Sequence, residues 1–241
     1  MSADERGARH APGARSAAWG NQSRSRHRAP PDLSVDHLVV AATSLATGVG
    51  WIEERLGVRM QPGGQHAAMG THNALVRLGP TLYLEVIAID PSGATPARPR
   101  WFDLDEPRMR ARLAEGPALV HWVVRSRAID DARAASDVEQ GEILTLCRGD
   151  FEWRMTVPAD GHLPARGLVP TLIQWSKPRH PSERLPDAGL RVVALAGEHP
   201  EPAPVRATLA RLGLSDMLKV TFGESPRLAA MLRTPRGVVA I

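Results

Sequence analysis

The chain has 241 residues, of which 43% are hydrophobic, with a formal net charge of +4 and one cysteine, Cys147. This is enough chain for a sizeable core, and it contains no apolar run near the roughly 18 residues that a membrane span needs. A single cysteine excludes an intrachain disulfide. Because nothing in the sequence points to export, we expect a cytoplasmic protein with no membrane partner.

Most of the positive charge lies in residues 1–32, which hold six arginines against three acidic residues. This segment is rich in Arg, Ser, Ala, Gly and Pro and lacks apolar periodicity, so it is predicted to be a disordered basic tail. The rest of the chain is nearly neutral, and the tail has one aromatic residue, Trp19. A nucleic-acid partner is therefore not favoured.

The first predicted module covers residues 33–92 and has the order strand, helix and three strands. Ser44 is placed to cap a helix that Gly57 ends, and apolar residues recur along this helix at helical spacing. A glycine-rich stretch at 62–66 follows, and Gly79 and Pro80 turn the chain between the last two strands. The clearest strand patterns cover residues 37–42, 74–78 and 82–89.

The second predicted module, residues 118–177, repeats this order after a proline-rich connector at 93–117 that holds a short helix. A linker at 178–189 then leads to an accessory C-terminal unit at 190–241, which is predicted to be shorter and of the βαββ type. The strands predicted for the second module cover residues 119–124, 143–147, 151–157 and 172–175.

Two histidines occupy the same place in the two modules. His37 lies in the first strand of the first module, within DHLVV, and His121 lies in the corresponding strand of the second, within VHWVV. The last strand of each module carries one polar side chain among apolar residues: Glu85, 48 residues after His37, and Gln174, 53 residues after His121. A curved sheet can bring these four side chains into a cup, where they could bind a divalent metal.

Strand alternation predicts which faces line this cup. His37 shares a face with Val39, and Glu85 shares one with Ile87, but the intervening residues are equally apolar. Both faces of the sheet must therefore be covered, one by helices and the other by whatever fills the cup. An isolated Glu85 carboxylate would be costly to ionise in so apolar a strand, so it needs a metal, another cation or a raised pKa.

The paired modules, with ligand-type residues on the first and last strand of each, resemble the vicinal oxygen chelate superfamily, which includes glyoxalase I, extradiol dioxygenases and bleomycin-resistance proteins. Within it, the chain is similar to the glyoxalase-like domain family found in many bacterial proteins, strongly over residues 33–176. The resemblance implies an α+β fold in which paired βαβββ modules form a curved mixed sheet around a central cup. The runs that carry it are DHLVV at 36–40, GTHNAL at 70–75, LEVIAIDP at 84–91, RPRWF at 98–102 and HWV at 121–123.

The resemblance also implies a metal site. His37, Glu85 and His121 match three ligand positions, and Gln174 stands at the fourth, where a glutamate is expected. The cofactor would be a divalent metal such as Ni, Zn, Mn or Fe, which binds two neighbouring substrate oxygens and stabilises an enediolate. Glu85 is the catalytic candidate, because it is the only one of the four that could also serve as a carboxylate base.

Other residues have a functional and a structural interpretation. His72 and Asn73 could line the substrate mouth or cap a turn. Arg100 and Trp101 could contact a substrate carboxylate and ring or pair with each other. Cys147 is predicted to be an inert core residue. Four histidines in predicted loops are assigned no role: His66, His162, His180 and His199.

Two function classes follow. The first is a metal-dependent isomerase or lyase that acts on a small oxygenated molecule. The second is a metal-free protein that binds or sequesters a small molecule, as bleomycin-resistance proteins do. The partner is a small molecule in either case. A homodimer is a further open alternative, with the C-terminal unit as the candidate contact.

Overall fold

A computed structural model describes residues 31–177 and 179–241. It has the predicted α+β class, with an eight-stranded curled sheet and a second, four-stranded sheet. The prediction of a disordered tail at 1–32 falls almost entirely outside the described residues. No described helix is both long and apolar enough to cross a membrane.

The larger sheet contains the first eight strands of the described chain. These are β1 (Leu33–Ala41), β2 (Gln61–His66), β3 (Thr71–Gly79), β4 (Leu82–Ile89), β5 (Ala118–Ser126), β6 (Glu142–Arg148), β7 (Phe151–Val157) and β8 (Thr171–Trp175). The helices are α1 (Leu45–Leu56), α2 (Pro107–Glu115), α3 (Ile129–Ala135) and α4 (Pro202–Arg211). Short 3-10 helices cover Ala67–Met69, Pro164–Gly167 and Pro181–Arg184.

The order of strands in the larger sheet is β2-β3-β4-β1-β5-β8-β7-β6. β1 pairs with β4 in parallel, and β5 pairs with β8 in parallel, so the first and last strands of each module are neighbours in both halves. β1 and β5 join the halves as an antiparallel pair. The two histidine-bearing strands therefore lie side by side at the centre of the sheet.

The helix α1 has the ends predicted for it. The Ser44 hydroxyl accepts a hydrogen bond from Thr47 N, and Gly57 ends the helix with a positive φ of 68° that a side chain would disfavour. Ile52 and Leu56 on this helix are fully buried against the outer face of the sheet. The apolar spacing and both caps thus place α1 over the first module.

Apolar residues cover both faces of the larger sheet. Leu38 and Val40 pack with α1 in the core on the outer face, whereas Val39, Ala41 and Ile87 belong to a second core on the concave face. The alternation predicted for β1 and β4 is confirmed. The concave face is the one that can form a site.

The C-terminal unit forms the second sheet. Its strands are β9 (Arg191–His199), β10 (Lys219–Phe222), β11 (Arg227–Thr234) and β12 (Gly237–Ala240), in the sheet order β10-β9-β11-β12. The helix α4 lies between β9 and β10 in the chain. The buried residues of this unit join the outer core, where Gly197 approaches Leu168 closely. The unit has three strands after its helix, one more than a βαββ unit.

Candidate active site in the cup

The concave face of the larger sheet holds a narrow cavity that opens to the surface. Its wall is largely aromatic, and polar groups enter it from the first module. Residues that line it are His37, His66, Tyr83, Glu85, Trp101, Phe102, Arg148, Trp153, Met155, Ile173 and Trp175.

His37 and Glu85 meet at this cavity because β1 and β4 are neighbours. In their parallel register Val39 lies opposite Glu85, so His37 and Glu85 are diagonal neighbours on the concave face. His37 Nε2 lies 3.7 Å from Glu85 Oε2, and both side chains are more than nine-tenths buried. This distance is too long for a hydrogen bond, but one ligand atom could contact both groups.

A β-bulge brings Asp36 to the same site. Consecutive strand residues normally point to opposite faces, but the register between β1 and β5 slips between Val35 and His37 and leaves Asp36 unpaired. The His37 Nδ1 atom can therefore donate to Asp36 Oδ1 over 2.8 Å. This bond fixes the orientation of the imidazole and leaves its Nε2 atom facing Glu85.

The Asp36 carboxylate is fully buried and has other donors. Trp175 Nε1 donates to Oδ2 over 2.9 Å, and His180 Nε2 lies 3.1 Å from the same oxygen. Burial alone would raise the pKa of Asp36, but the hydrogen bonds from His180 and His37 outweigh burial and hold it well below its ordinary value. Asp36 therefore stays ionised and can stabilise a positive charge on His37.

Asn73 holds the other side of Glu85. Its amide nitrogen donates a short hydrogen bond to Glu85 Oε1, and its amide oxygen accepts from Gly64 N over 2.9 Å. A side chain at Gly63 would clash with the Asn73 amide oxygen. The glycine-rich stretch of β2 thus permits the close approach of backbone and amide that positions Glu85.

His66 and Tyr83 complete the polar end of the cavity. Burial lowers the pKa of His66 to about 4, although the nearby Glu85 carboxylate raises it in part. Burial also raises the pKa of the Tyr83 hydroxyl well above its ordinary value. The Tyr83 ring stacks on His37, with 4.7 Å between ring centroids. Both side chains are therefore uncharged near neutral pH.

The other two predicted metal ligands have different surroundings. His121 is fully buried below Phe102, where Nδ1 lies 3.2 Å from Gly167 O and Nε2 accepts from Thr171 N over 3.1 Å. Burial lowers the pKa of His121 to about 3. Gln174 accepts a hydrogen bond from Ile129 N at the start of α3 over 3.0 Å, while Ile173 and Trp175 on either side of it line the cavity.

These contacts do not fit a four-ligand metal site. Both nitrogens of His121 are engaged within the core, and Gln174 points to the helix side of the sheet, so only His37 and Glu85 meet. Among the described residues, no three His, Cys, Asp or Glu side chains are grouped to hold a metal ion.

The residues predicted to bind substrate divide in the same way. Trp101 lines the cavity, and Asn73 supports Glu85. His72 and Arg100 do not line the cavity. Arg100 instead pairs with Asp105, with 2.9 Å between Nη1 and Oδ1. Cys147 is exposed on β6, which corrects its prediction as a core residue.

Sequence analysis missed four polar contributors to the site: Asp36, His66, Arg148 and His180. Asp36 adjoins His37 in the DHLVV run, but strict alternation places it on the wrong face. His180 lies beyond the second module, and its apposition to Asp36 spans 144 residues of chain. His66 was predicted to lie in a loop and was assigned no role, whereas the structure places it at the end of β2.

The chain is similar to a known family and to several solved structures. The model of the family described as "Glyoxalase-like domain" matches residues 35–213. No curated protein matches the chain. A hypothetical protein from Staphylococcus aureus has 12% identity and a TM-score of 0.54, and the match covers 81% of this chain and 88% of that one. At this identity, the match describes the fold alone.

Two further solved structures are similar over a smaller share of this chain. Methylmalonyl-CoA epimerase from Mycobacterium tuberculosis has 15% identity and a TM-score of 0.37, with 58% of this chain and 85% of that chain covered. A hypothetical protein from Bacillus halodurans C-125 has 15% identity and a TM-score of 0.41, with 62% and 97% covered. The match to the family model extends over most of the chain, which therefore belongs to the glyoxalase-like domain family.

Proposed function

We propose that the cup is the active site of a proton-transfer enzyme of the isomerase or lyase type, which acts on a small oxygenated molecule. The observation that carries this proposal is the buried pair of His37 and Glu85, which faces an aromatic cavity with each member held by its own hydrogen-bonded support. Ionisable groups fixed in this way inside a cavity are typical of catalytic acids and bases.

Glu85 is the proposed base. Asn73 engages its Oε1 atom, so Oε2 is the oxygen that faces His37 at the cavity wall. In the proposed step, the carboxylate takes the proton from a carbon atom next to a substrate carbonyl. The electron pair of the broken C–H bond moves into the new C=C bond, and negative charge develops on the carbonyl oxygen.

His37 is the proposed acid in the form in which both ring nitrogens carry protons. Asp36 accepts the Nδ1 proton, so the Nε2 proton is the one directed toward the cavity. Transfer of this proton to the developing oxyanion gives a neutral enediol or enol. Return of the two protons, to the same or a neighbouring carbon and to His37, completes an isomerisation or epimerisation.

Hydrogen exchange tests this proposal without the natural substrate. In deuterated water, the protein should speed the loss of the C–H proton signals of hydroxyacetone or pyruvate, followed by NMR. Glu85→Gln and His37→Gln should each reduce the exchange rate by at least about 100-fold, which is the usual contribution of a general acid or base. Equal rates in these variants and the unmodified protein would contradict the proposal.

Two exposed or remote residues provide matched controls. Glu54→Gln alters an exposed glutamate of α1, and His199→Gln alters a histidine at the end of β9, outside the cup. Both should exchange protons as the unmodified protein does. If the cup binds small molecules but catalyses no exchange with any of them, the chain is a binding protein, as in the second class considered from the sequence.

A further inference from the structure

Two tryptophans of the cup have unused hydrogen-bond donors. Trp101 and Trp153 are each 4% exposed, and their Nε1 atoms are buried without a hydrogen-bond partner among the described residues. A buried donor left without an acceptor is destabilising. Two of them in the wall of one cavity point to a ligand, or ordered water, whose oxygens accept from them.

The two indole rings lie at one end of the cavity. Both indoles stand nearly edge-on to the His66 ring, with centroid distances of 5.1 Å for Trp101 and 6.1 Å for Trp153. His66 is held uncharged, mainly by burial and in part by the positive charge of nearby Arg148. The end of the cavity around His66 thus combines two indole rings that have unpaired donors with a nearby cation.

Arg148 stands at the boundary between the cavity and the surface. It lines the cavity and also a wider groove outside it, which includes Gly64 and Phe151. Its guanidinium lies 5.9 Å from the centroid of the Phe151 ring, and it forms no ion pair with another described residue. An unpaired, half-buried arginine at a cavity mouth is suited to a carboxylate, which its planar fork of donors matches.

The surface beside the mouth is also cationic. A second groove shares Trp175 with the cavity and is lined by Lys177, Arg179 and Arg184. Two carboxylates lie among them, and that of Asp150 is paired with Arg184 over 3.1 Å. A net positive rim attracts anions and raises their rate of entry.

We propose that the cup takes a small organic carboxylate, which Arg148 holds at the mouth while the indole N–H groups of Trp101 and Trp153 donate to its oxygens. The apolar part of the ligand packs against the aromatic wall, and its reacting carbon lies toward Glu85. The inference rests on the proposed function in placing that carbon, but the binding of the carboxylate does not depend on it.

Two probes of the same shape test the charge preference. Phenylacetate and phenylacetamide differ only in replacing a carboxylate with a neutral amide, and their affinities can be compared by calorimetry or ligand-observed NMR. Phenylacetate should bind at least about tenfold more tightly, as expected for a hydrogen bond to a charged group. Equal affinities, or no binding of phenylacetate up to millimolar concentrations, would overturn the proposal.

Variants locate the carboxylate. Arg148→Gln should weaken phenylacetate about tenfold and leave phenylacetamide unchanged. Trp101→Phe and Trp153→Phe keep an aromatic ring but remove the donor, and each should weaken phenylacetate about fivefold. Arg133→Gln, at an exposed site on α3, is the matched control and should change neither affinity. Loss of charge preference in the control, or its survival in Arg148→Gln, would place the anion elsewhere.

The same probes separate this inference from the proposed catalysis. His37→Gln and Glu85→Gln should abolish proton exchange but keep the preference for phenylacetate. If the preference for the carboxylate is found without any exchange, the binding inference stands and the catalytic proposal fails. If exchange is found without a preference for the carboxylate, the catalytic proposal stands and the binding inference fails.

Discussion

His180 Nε2 lies 3.1 Å from Oδ2 of Asp36, a residue 144 positions earlier in the chain. His180 Nδ1 in turn lies 2.7 Å from the Ser182 hydroxyl, which donates to Pro80 O over 2.8 Å. The linker after the second module is thereby tied to the bulge of β1 and to the turn before β4. His37, Asp36 and His180 form one continuous buried polar group.

The role of Asp36 in orienting His37 can be tested by Asp36→Asn. An amide keeps the size of the side chain but loses the charge that stabilises a protonated His37, so exchange should fall by at least about 100-fold. Breaking a buried charged network should also lower the free energy of unfolding by about 3 kcal/mol. Exchange in deuterated water and urea denaturation measure the two effects.

A surface carboxylate gives the control for this variant. Asp187 pairs with Arg191 over 2.7 Å where both are exposed, so Asp187→Asn should leave exchange unchanged. Full activity in Asp36→Asn would show that the hydrogen bond to His37 Nδ1 has no part in the chemistry.

Gln174 is expected to act as a helix cap and not as a metal ligand. The first residue of α3 donates to its amide oxygen, and Ala128, the residue before the helix, has no side chain that could cap it. Gln174→Met should therefore cost about 1 kcal/mol of stability, whereas Gln174→Glu keeps an acceptor at the helix start and should cost less. Urea denaturation distinguishes the two variants.

Metal titration tests the alternative role of Gln174 as a metal ligand. If Gln174 serves the helix alone, both substitutions leave the affinity for Ni²⁺ or Zn²⁺ unchanged. A tighter divalent site in Gln174→Glu would instead support the four-ligand arrangement that the family resemblance implies.

The buried His121 should make the protein sensitive to acid. Its pKa is about 3 in the folded protein and about 6.5 when unfolded, so the unfolded chain takes up a proton first as the pH falls. The stabilising contribution of the uncharged His121 is complete above pH 6.5 and is lost between pH 6.5 and 3. The loss amounts to roughly 3 kcal/mol at pH 4. His121→Asn should reduce the difference in unfolding free energy between pH 7 and pH 4 by that amount, and an unaltered difference would contradict the assignment.

The two glycines of β2 should respond differently to alanine. A methyl group at Gly63 would displace the Asn73 amide that supports Glu85, so Gly63→Ala should slow proton exchange. A methyl group at Gly64 would meet only the flexible Arg148 side chain, so Gly64→Ala should weaken phenylacetate binding and spare exchange. The opposite pattern would contradict the positions assigned to Asn73 and Arg148.

The sequence was sufficient to predict the fold and the pair at the centre of the site. His37 and Glu85 were predicted to meet because they lie on the first and last strands of one module, as the family resemblance implies, and the caps Ser44 and Gly57 bounded the helix behind them. Gln174 could not be placed, because Ile173 and Trp175 make the opposite face of β8 equally suitable for the cup. A shift of one residue along β8 moves a side chain to the other face of the sheet, and this decides whether Gln174 faces the cup or the start of α3.

Asp36 and His180 could not be predicted for two other physical reasons. A bulge in β1 changes the facing of one residue without changing the hydrophobic pattern, so nothing in the local sequence reveals it. The apposition of His180 depends on how the chain folds back after the second module. Such long-range contacts have no periodic signal in a single sequence.

The contact between Asp36 and His180 also determines how far a shortened version of the chain must extend. A fragment that stops at Lys177 contains every strand of the eight-stranded sheet and both halves of the internal duplication, and by topology alone it would pass for a complete domain. It nevertheless lacks His180, so one oxygen of a fully buried carboxylate loses a donor. Shortened versions designed from the visible repeat would weaken the electrostatic support of His37, whereas versions that extend through Ser182 would retain the contact of His180 with Asp36.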